Sequence, residues 1–297
     1  MSNILVELSD SMAAATEKAA ASTVLVNARR RIPASGIAFA TDLVLTADHV
    51  IEREEGITIL LADGNEAAAS LAGRDPGSDL AVLRLEKERT TPAEPAMQAR
   101  IGQLVLALGR PSPEGIEASL GVVSAIGGPV RTPHGSIDRY IRTDATPYPG
   151  FSGGPLVDAE GRVVGVNTSG FGRGVTLTIP AEYAWKVADQ LARIGSVKRG
   201  YLGVRSEAVE LPDAAQKALQ RKQATGLLLV SVERKSPAET GKLIVGDILV
   251  GIDGQPIPDH DTLFAHLTGE VVGKTIPMEV LRGGQPQIFT VEIGARP

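Results

Sequence analysis

Over most of its first two thirds the chain alternates brief apolar runs with turn residues. STVLVNA, GIAFATDLVLTADHV, GITILLADG, DLAVLRLE, QLVLALG, SLGVVSAIGG, RYIRTDA, GPLVDAEGRVVGVNTSG and GVTLTIP are rich in Val, Leu, Ile and Thr, with Gly, Asp or Pro at their ends. Such runs predict β-strands, and strands this numerous without helical repeats between them predict an antiparallel barrel or sandwich. Two stretches break the pattern. An Ala-rich segment near residues 4 to 20 predicts a helix, and PAEYAWKVADQLARIG spaces Ala184, Val187, Leu191 and Ile194 by three and four before Gly195, which predicts a helix with a glycine cap. That helix closes a first domain, residues 1–194. Residues 195–297 form a second, small mixed α/β domain, with strands in GLLLVSVERKS and GDILVGIDGQPI, a helix over DHDTLFAHL, and a hairpin turning at Arg282, Gly283 and Gly284.

Composition narrows this picture without redirecting it. A chain of 297 residues exceeds what one core usually holds, so two domains are expected. Aromatic residues are only 3%, which leaves the cores to Val, Leu, Ile and Ala. A formal charge of -5 gives no broad basic field, and the cluster Arg29, Arg30, Arg31 reads as a solvated loop, so nucleic acid is not an expected partner. No cofactor is expected, and with no cysteine there is neither a disulfide framework nor a thiolate metal site. The segment MSNILVELSDSMAAATEKAA lacks a basic start and a continuous apolar run, and no later stretch reaches the length of a membrane span. A cytoplasmic protein is therefore expected, or a periplasmic or secreted one if a leader precedes these residues.

The densest chemical signal is Gly150, Phe151, Ser152, Gly153, Gly154, Pro155. Glycine permits a backbone turn tight enough to present the Ser152 hydroxyl, and leaves N–H groups able to face a carbonyl oxygen as it gains charge. The same residues fit the nucleophile elbow of an α/β-hydrolase, but that fold places its acid and histidine after the serine on a strand-turn-helix unit. Here Ser152 leads into another strand, and the later histidines, His260 and His266, fall in the second domain.

Upstream, His49 ends the apolar run LVLTADHV, where a neutral imidazole can accept a serine proton and return it to a leaving amine. Between them Asp79 precedes an alternating strand and can orient the imidazole. Asp48, Asp75 and Asp144 compete for that role. Side chains of neighbours on a strand point to opposite faces, which disfavours Asp48. Asp75 precedes Pro76 and Gly77 and reads as a turn residue, while Asp144 stays open, with holding the serine loop as its other role. The order His, Asp, Ser on an all-strand background is that of chymotrypsin.

Together, LVLTADHV, SDLAVLRL, VLALGRPSPEG, SLGVVSAIGG and RTDATPYPGFSGGPLVDAEGRVVGVNT resemble the HtrA/Deg-type serine proteases, collinearly from about residue 20 to 194. The resemblance continues through KRGYLGVR and SPAETGKLIVGDILVGIDGQPI, which are similar to a PDZ domain. It implies two six-stranded antiparallel β-barrels with a catalytic triad between them: His49 as general base, Asp79 as its orienting carboxylate and Ser152 as nucleophile. The Gly150 and Ser152 N–H groups would form the oxyanion hole. It further implies unfolded or damaged proteins as substrates in protein quality control and stress response, no metal, and a homotrimer.

Tyr201, Leu202, Gly203 and Val204 match the family's carboxylate-binding loop, where backbone N–H groups receive a C-terminal peptide that adds a strand to the sheet edge. The chain departs from the family's usual Asn before the nucleophile, having Phe151, and from its Ile-Asn-Pro-Gly run, having Pro147, Tyr148, Pro149, Gly150. These departures put the family's preference for small aliphatic side chains in question. They also leave an alternative function, a catalytically silent chaperone or peptide-binding scaffold.

Overall fold

The computed structural model describes residues 3–87, 89–96, 98–132, 135–137, 139–171, 176–195, 200–267 and 271–295. The chain divides into two compact units, Met1–Val197 and Lys198–Pro297.

The first unit opens with helix α1 (Ile4–Ala20), whose Asn3 side chain accepts the Leu5 N–H at its start. Six strands follow: β1 (Thr23–Asn27), β2 (Ala34–Ala40), β3 (Leu43–Ala47), β4 (Ile57–Leu60), β5 (Glu66–Asp75) and β6 (Leu80–Leu85). They pair in the order β1-β2-β3-β6-β5-β4 and close into a barrel through β4 on β1. A second run contains β7 (Leu104–Ser112), β8 (Gly115–Gly127), the two-stranded ribbon β9 (Val130–Thr132) and β10 (Gly135–Ile137), then β11 (Tyr140–Thr143), β12 (Pro155–Val157), β13 (Val163–Thr168) and β14 (Leu177–Pro180). Without the ribbon these close a second barrel, β11-β14-β13-β12-β7-β8. Two six-stranded antiparallel barrels are thus present, as expected.

The continuous apolar runs have a physical reason. Successive strand residues face opposite ways, and here both ways are buried. In β3, Val44 faces the interior of the first barrel, with Val26 and Leu83. Its neighbours Leu43 and Leu45 face a separate cluster with Leu108, Val157 and Ile179 of the second barrel. That cluster also takes Met12, Ala15 and Ala19 of α1 and Ala184, Val187 and Leu191 of helix α2 (Ala181–Ile194). Gly195, at φ +80°, donates its N–H to Leu191 O and ends α2 where the glycine cap predicts. Ile194, expected on the buried face, is 57% exposed.

The second unit begins with β15 (Gly200–Tyr201), β16 (Val204–Glu210), α3 (Asp213–Ala218), β17 (Thr225–Val232) and α4 (Pro237–Thr240). It continues with β18 (Ile248–Ile252), β19 (Gln255–Pro256), α5 (His260–His266), β20 (Thr275–Arg282), β21 (Gln285–Glu292) and β22 (Gly294–Ala295). The main sheet runs β16-β17-β18-β20-β21. Gly283 and Gly284, both at positive φ, join β20 to β21 at the expected hairpin. No described helix is long and apolar enough to cross a membrane.

Candidate active site

Strand register brings the histidine and aspartate together. Ala47 at the end of β3 pairs with Leu80 at the start of β6, so the residues just beyond, His49 and Asp79, meet at the same barrel rim. The Asp48 N–H donates to Asp79 O at 3.1 Å, continuing the ladder past both strands. Asp79 sits at φ +54°, a left-handed conformation that Asp tolerates better than most residues. In this position its carboxylate turns back onto His49. Asp79 Oδ1 accepts the His49 backbone N–H at 2.9 Å, and Oδ2 lies 2.8 Å from His49 Nδ1. Thr168 Oγ1 donates to the same Oδ2. Asp79 is 5% exposed, and a buried carboxylate bonded to Nδ1 keeps the ring proton there and leaves Nε2 as the acceptor.

The three rival carboxylates are engaged elsewhere. Asp48 Oδ1 takes Arg74 Nε at 2.6 Å, a hydrogen bond that raises the Arg74 pKa against the lowering effect of burial. Asp75 accepts the Gly77 and Ser78 N–H groups and the Ser78 hydroxyl, as a turn residue should. Asp144 accepts the Val122 N–H at 2.6 Å, bracing the segment ahead of the serine loop.

The loop from Pro147 to Gly154 presents Ser152 by packing Phe151 beneath it. Phe151 is 1% exposed, inside the second barrel with Val105, Leu156 and Val164. The half-exposed Tyr148 ring meets it edge-on at 5.4 Å. The residue that departs from the family pattern thus serves mainly as core. Gly153, at φ +85°, has no room for a side chain, because a Cβ would lie 2.2 Å from Ser35 O and Thr46 Oγ1. Ser35 clamps the loop from the other barrel, its N–H donating to Ser152 O and its hydroxyl to Gly150 O. The Phe151 N–H is used by Tyr148 O at 3.1 Å. The Gly150 and Ser152 N–H groups, by contrast, have no hydrogen-bond partner among the described residues.

Sequence reasoning missed Thr168 and Ser169, at the end of β13. Ser169 Oγ stands 3.1 Å from Ser152 Oγ and 3.5 Å from His49 Nε2, within reach of both. Gly170 follows with no space for a Cβ, which would fall 2.4 Å from Asp79 Oδ2. The signal available in the sequence was a hydroxyl pair followed by glycine directly after a strand. A cleft of about 420 Å³ opens over Ser152, and its lining includes Asn167, Thr168 and Ser169 together with Arg29, Arg31 and Ile32.

In the second unit, Tyr201 to Val204 link β15 to β16. Gly203, at φ +76°, lies against Ser236, and Leu202 is buried. Leu202 O and Gly203 O are taken by the Ala238 and Glu233 N–H groups. Strand β16 is an edge of its sheet, paired only with β17, and His260 of α5 reaches Ser206 O on that edge at 3.0 Å.

Comparison with known proteins matches this layout. Residues 34–166 match the trypsin-like peptidase domain and residues 200–293 the PDZ domain. A probable periplasmic serine endoprotease DegP-like of Rhizobium meliloti is 33% identical over 91% of this chain and 54% of its own. The chain thus spans about half the length of the relatives it matches. Among solved structures, an HtrA-type protease AlgW with tripeptide superposes at TM-score 0.79 with 32% identity, over 96% of this chain and 97% of that one. The serine endoprotease from Yersinia pestis superposes at TM-score 0.79 with 30% identity, over 96% and 98%.

The cytoplasmic location expected from the first twenty residues is overturned, because relatives at this level are named periplasmic. Residues 4–20 form α1, and Met12, Ala15 and Ala19 pack into the core, so the composition of that segment reflects folding demands. A histidine and aspartate joined at one barrel rim, a glycine-shaped serine loop at the other and an edge-stranded second unit coincide with these likenesses, and the chain belongs to the HtrA-type serine proteases, with a trypsin-like peptidase domain followed by a PDZ domain.

Proposed function

We propose that this chain is an active serine endopeptidase that cuts unfolded polypeptides through an acyl-enzyme, with residues 1–194 as its protease domain and 195–297 as its PDZ domain. The observation that carries this reading is the pairing of His49 Nδ1 with the buried Asp79 carboxylate, with Ser169 Oγ 3.5 Å from His49 Nε2 and 3.1 Å from Ser152 Oγ. In the first half-reaction Ser152 Oγ attacks the scissile carbonyl while His49 Nε2 takes its proton. The developing oxyanion is met by the Gly150 and Ser152 N–H groups. His49 then protonates the leaving amine, and water resolves the ester by the same steps in reverse.

The PDZ domain takes C-terminal peptides. Tyr201, Leu202, Gly203 and Val204 offer the backbone N–H groups for a terminal carboxylate, and the β16 edge accepts the peptide as an added strand. The AlgW structures carrying a tripeptide or a decapeptide support peptide binding in a relative of the same fold. A role in protein quality control under stress, and a homotrimeric assembly, belong to the same proposal.

The test is cleavage of unfolded casein by the wild-type chain and by Ser152→Ala, with labelling by a serine-directed fluorophosphonate. Cleavage and labelling, both lost in the variant, are expected. Folded wild type that neither cleaves nor labels would overturn the reading in favour of a peptide-binding scaffold.

A further inference from the structure

The cluster Arg29, Arg30, Arg31 has no part in the chemistry described so far, yet Arg29 and Arg31 line the cleft over Ser152. No carboxylate lines that cleft among the described residues. Arg29 is fixed in place: its Nε donates to Ile32 O at 2.5 Å and its Nη2 to Pro33 O at 3.2 Å. Pro33 O in turn sits against the serine loop, 2.9 Å from where a Gly150 Cβ would be. Burial lowers the Arg29 pKa, and Glu52 opposes that only in part. Glu52 itself is turned to the Arg30 N–H at 3.4 Å and does not line the cleft. Arg31 is exposed, one residue from Arg30 and next to Ile32.

The position of this loop decides which part of a substrate meets it. Asn167, Thr168 and Ser169 line the cleft near Ser152, Ser169 Oγ lying 3.1 Å from Ser152 Oγ. The Arg29–Ile32 loop lines the same cleft and is tied to the chain just past His49, through Glu52 N–H and Arg53 N–H on Ala28 O. His49 protonates the leaving amine, so the segment after the cut leaves along this loop.

We propose that the Arg29–Ile32 loop is an acid-recognising wall of the cleft, in which Arg31 selects substrates carrying Asp or Glu at the first or second position after the scissile bond. This rests on the serine-protease reading. Arg29 holds the loop in shape and adds a fixed positive charge, while the exposed guanidinium of Arg31 makes the contact. A guanidinium presents a planar fork that matches a carboxylate, and a partly shielded cleft weakens the interaction less than open water does.

The experiment uses internally quenched peptides built on a cut site mapped in unfolded casein, identical except for Asp or Lys at the second position after the cut. The ratio of kcat/KM for the Asp peptide over the Lys peptide is measured for wild type, Arg31→Gln and Arg31→Glu. A wild-type ratio of about 5 or more is expected, given what a partly exposed ion pair contributes. The ratio should fall toward one in Arg31→Gln and below one in Arg31→Glu. A wild-type ratio at or below one, or a ratio unchanged in Arg31→Glu, overturns the proposal while leaving the protease reading intact. A chain that neither cuts casein nor reacts with the fluorophosphonate overturns the protease reading, and this wall with it.

Discussion

Thr168 Oγ1 donates its hydrogen bond to Asp79 Oδ2, the same carboxylate oxygen that lies 2.8 Å from His49 Nδ1. Asp79 belongs to the first barrel and Thr168 to β13 of the second. One hydroxyl therefore ties the carboxylate of one barrel to the strand beside the serine loop of the other, and Gly170 N–H steadies that hydroxyl at 2.9 Å. Thr168→Val removes the donor while keeping the volume. A hydrogen bond to a charged group contributes about 1.5–3 kcal/mol, so kcat should fall roughly tenfold to a hundredfold with little change in KM. Thr168→Ser should restore most of it. Steady-state kinetics on one peptide substrate, with all three proteins, checks the point.

The identity of the acid makes a sharper prediction. Asp79→Asn leaves the shape of the residue but favours the wrong imidazole tautomer, and kcat should drop by about four orders of magnitude, as in other triads of this geometry. Asp48→Asn should act on stability, because it removes the buried member of the Arg74 ion pairs at the barrel rim and leaves Arg74 with the exposed Glu54. Asp144→Asn should weaken the bond to the Val122 N–H with a far smaller effect on kcat. If Asp144→Asn proved as damaging as Asp79→Asn, the assignment of Asp79 as orienting carboxylate would fail.

Much of this was legible beforehand because it is written in local chemistry. Glycines at Gly150 and Gly153 are demanded by positive φ, and Gly153 also by contact with Ser35 and Thr46. The apolar runs of β1 and β3, and of β6 as far as Leu83, are nearly continuous because both faces of each strand are buried. Strand β5, Glu66–Asp75, was not legible: EAAASLAGRD has few β-formers, and it is a strand because β4 and β6 pair with it on both sides. The roles of Thr168 and Ser169 were not assignable from their hydroxyl-hydroxyl-glycine run for a related reason. Their role depends on which barrel faces them, and nothing within β13 records that.

In the PDZ domain the buried carboxylate of Asp247 depends on one cation. Arg282 Nε and Nη2 donate to its two oxygens at 2.7 and 2.8 Å, while the guanidinium stacks over Phe289 at 4.2 Å. Asp247 is wholly buried and also accepts the Ile244 N–H at 2.9 Å. Arg282→Met keeps the packing of the stem but leaves the carboxylate with that neutral donor, which should cost about 2 kcal/mol. Hydrogen-exchange mass spectrometry of the full chain should show faster exchange in β18 and β20 and unchanged exchange in β3 and β13.

Ser169 makes the last prediction. Its hydroxyl lies 3.1 Å from Ser152 Oγ and 3.5 Å from His49 Nε2, the second distance at the limit of a hydrogen bond. In this resting geometry Ser152 Oγ is hydrogen-bonded to another neutral hydroxyl, with either oxygen able to donate, and that bond must break before Ser152 turns to the imidazole. A neutral hydrogen bond contributes about 0.5–1.5 kcal/mol net. Removing it should therefore raise the reactivity of Ser152 by roughly twofold to tenfold. Ser169→Ala should label faster with the fluorophosphonate, while Ser169→Thr, which keeps the hydroxyl, should label at the wild-type rate. Slower labelling of Ser169→Ala would assign the opposite role, a hydroxyl that relays the proton from Ser152 to His49.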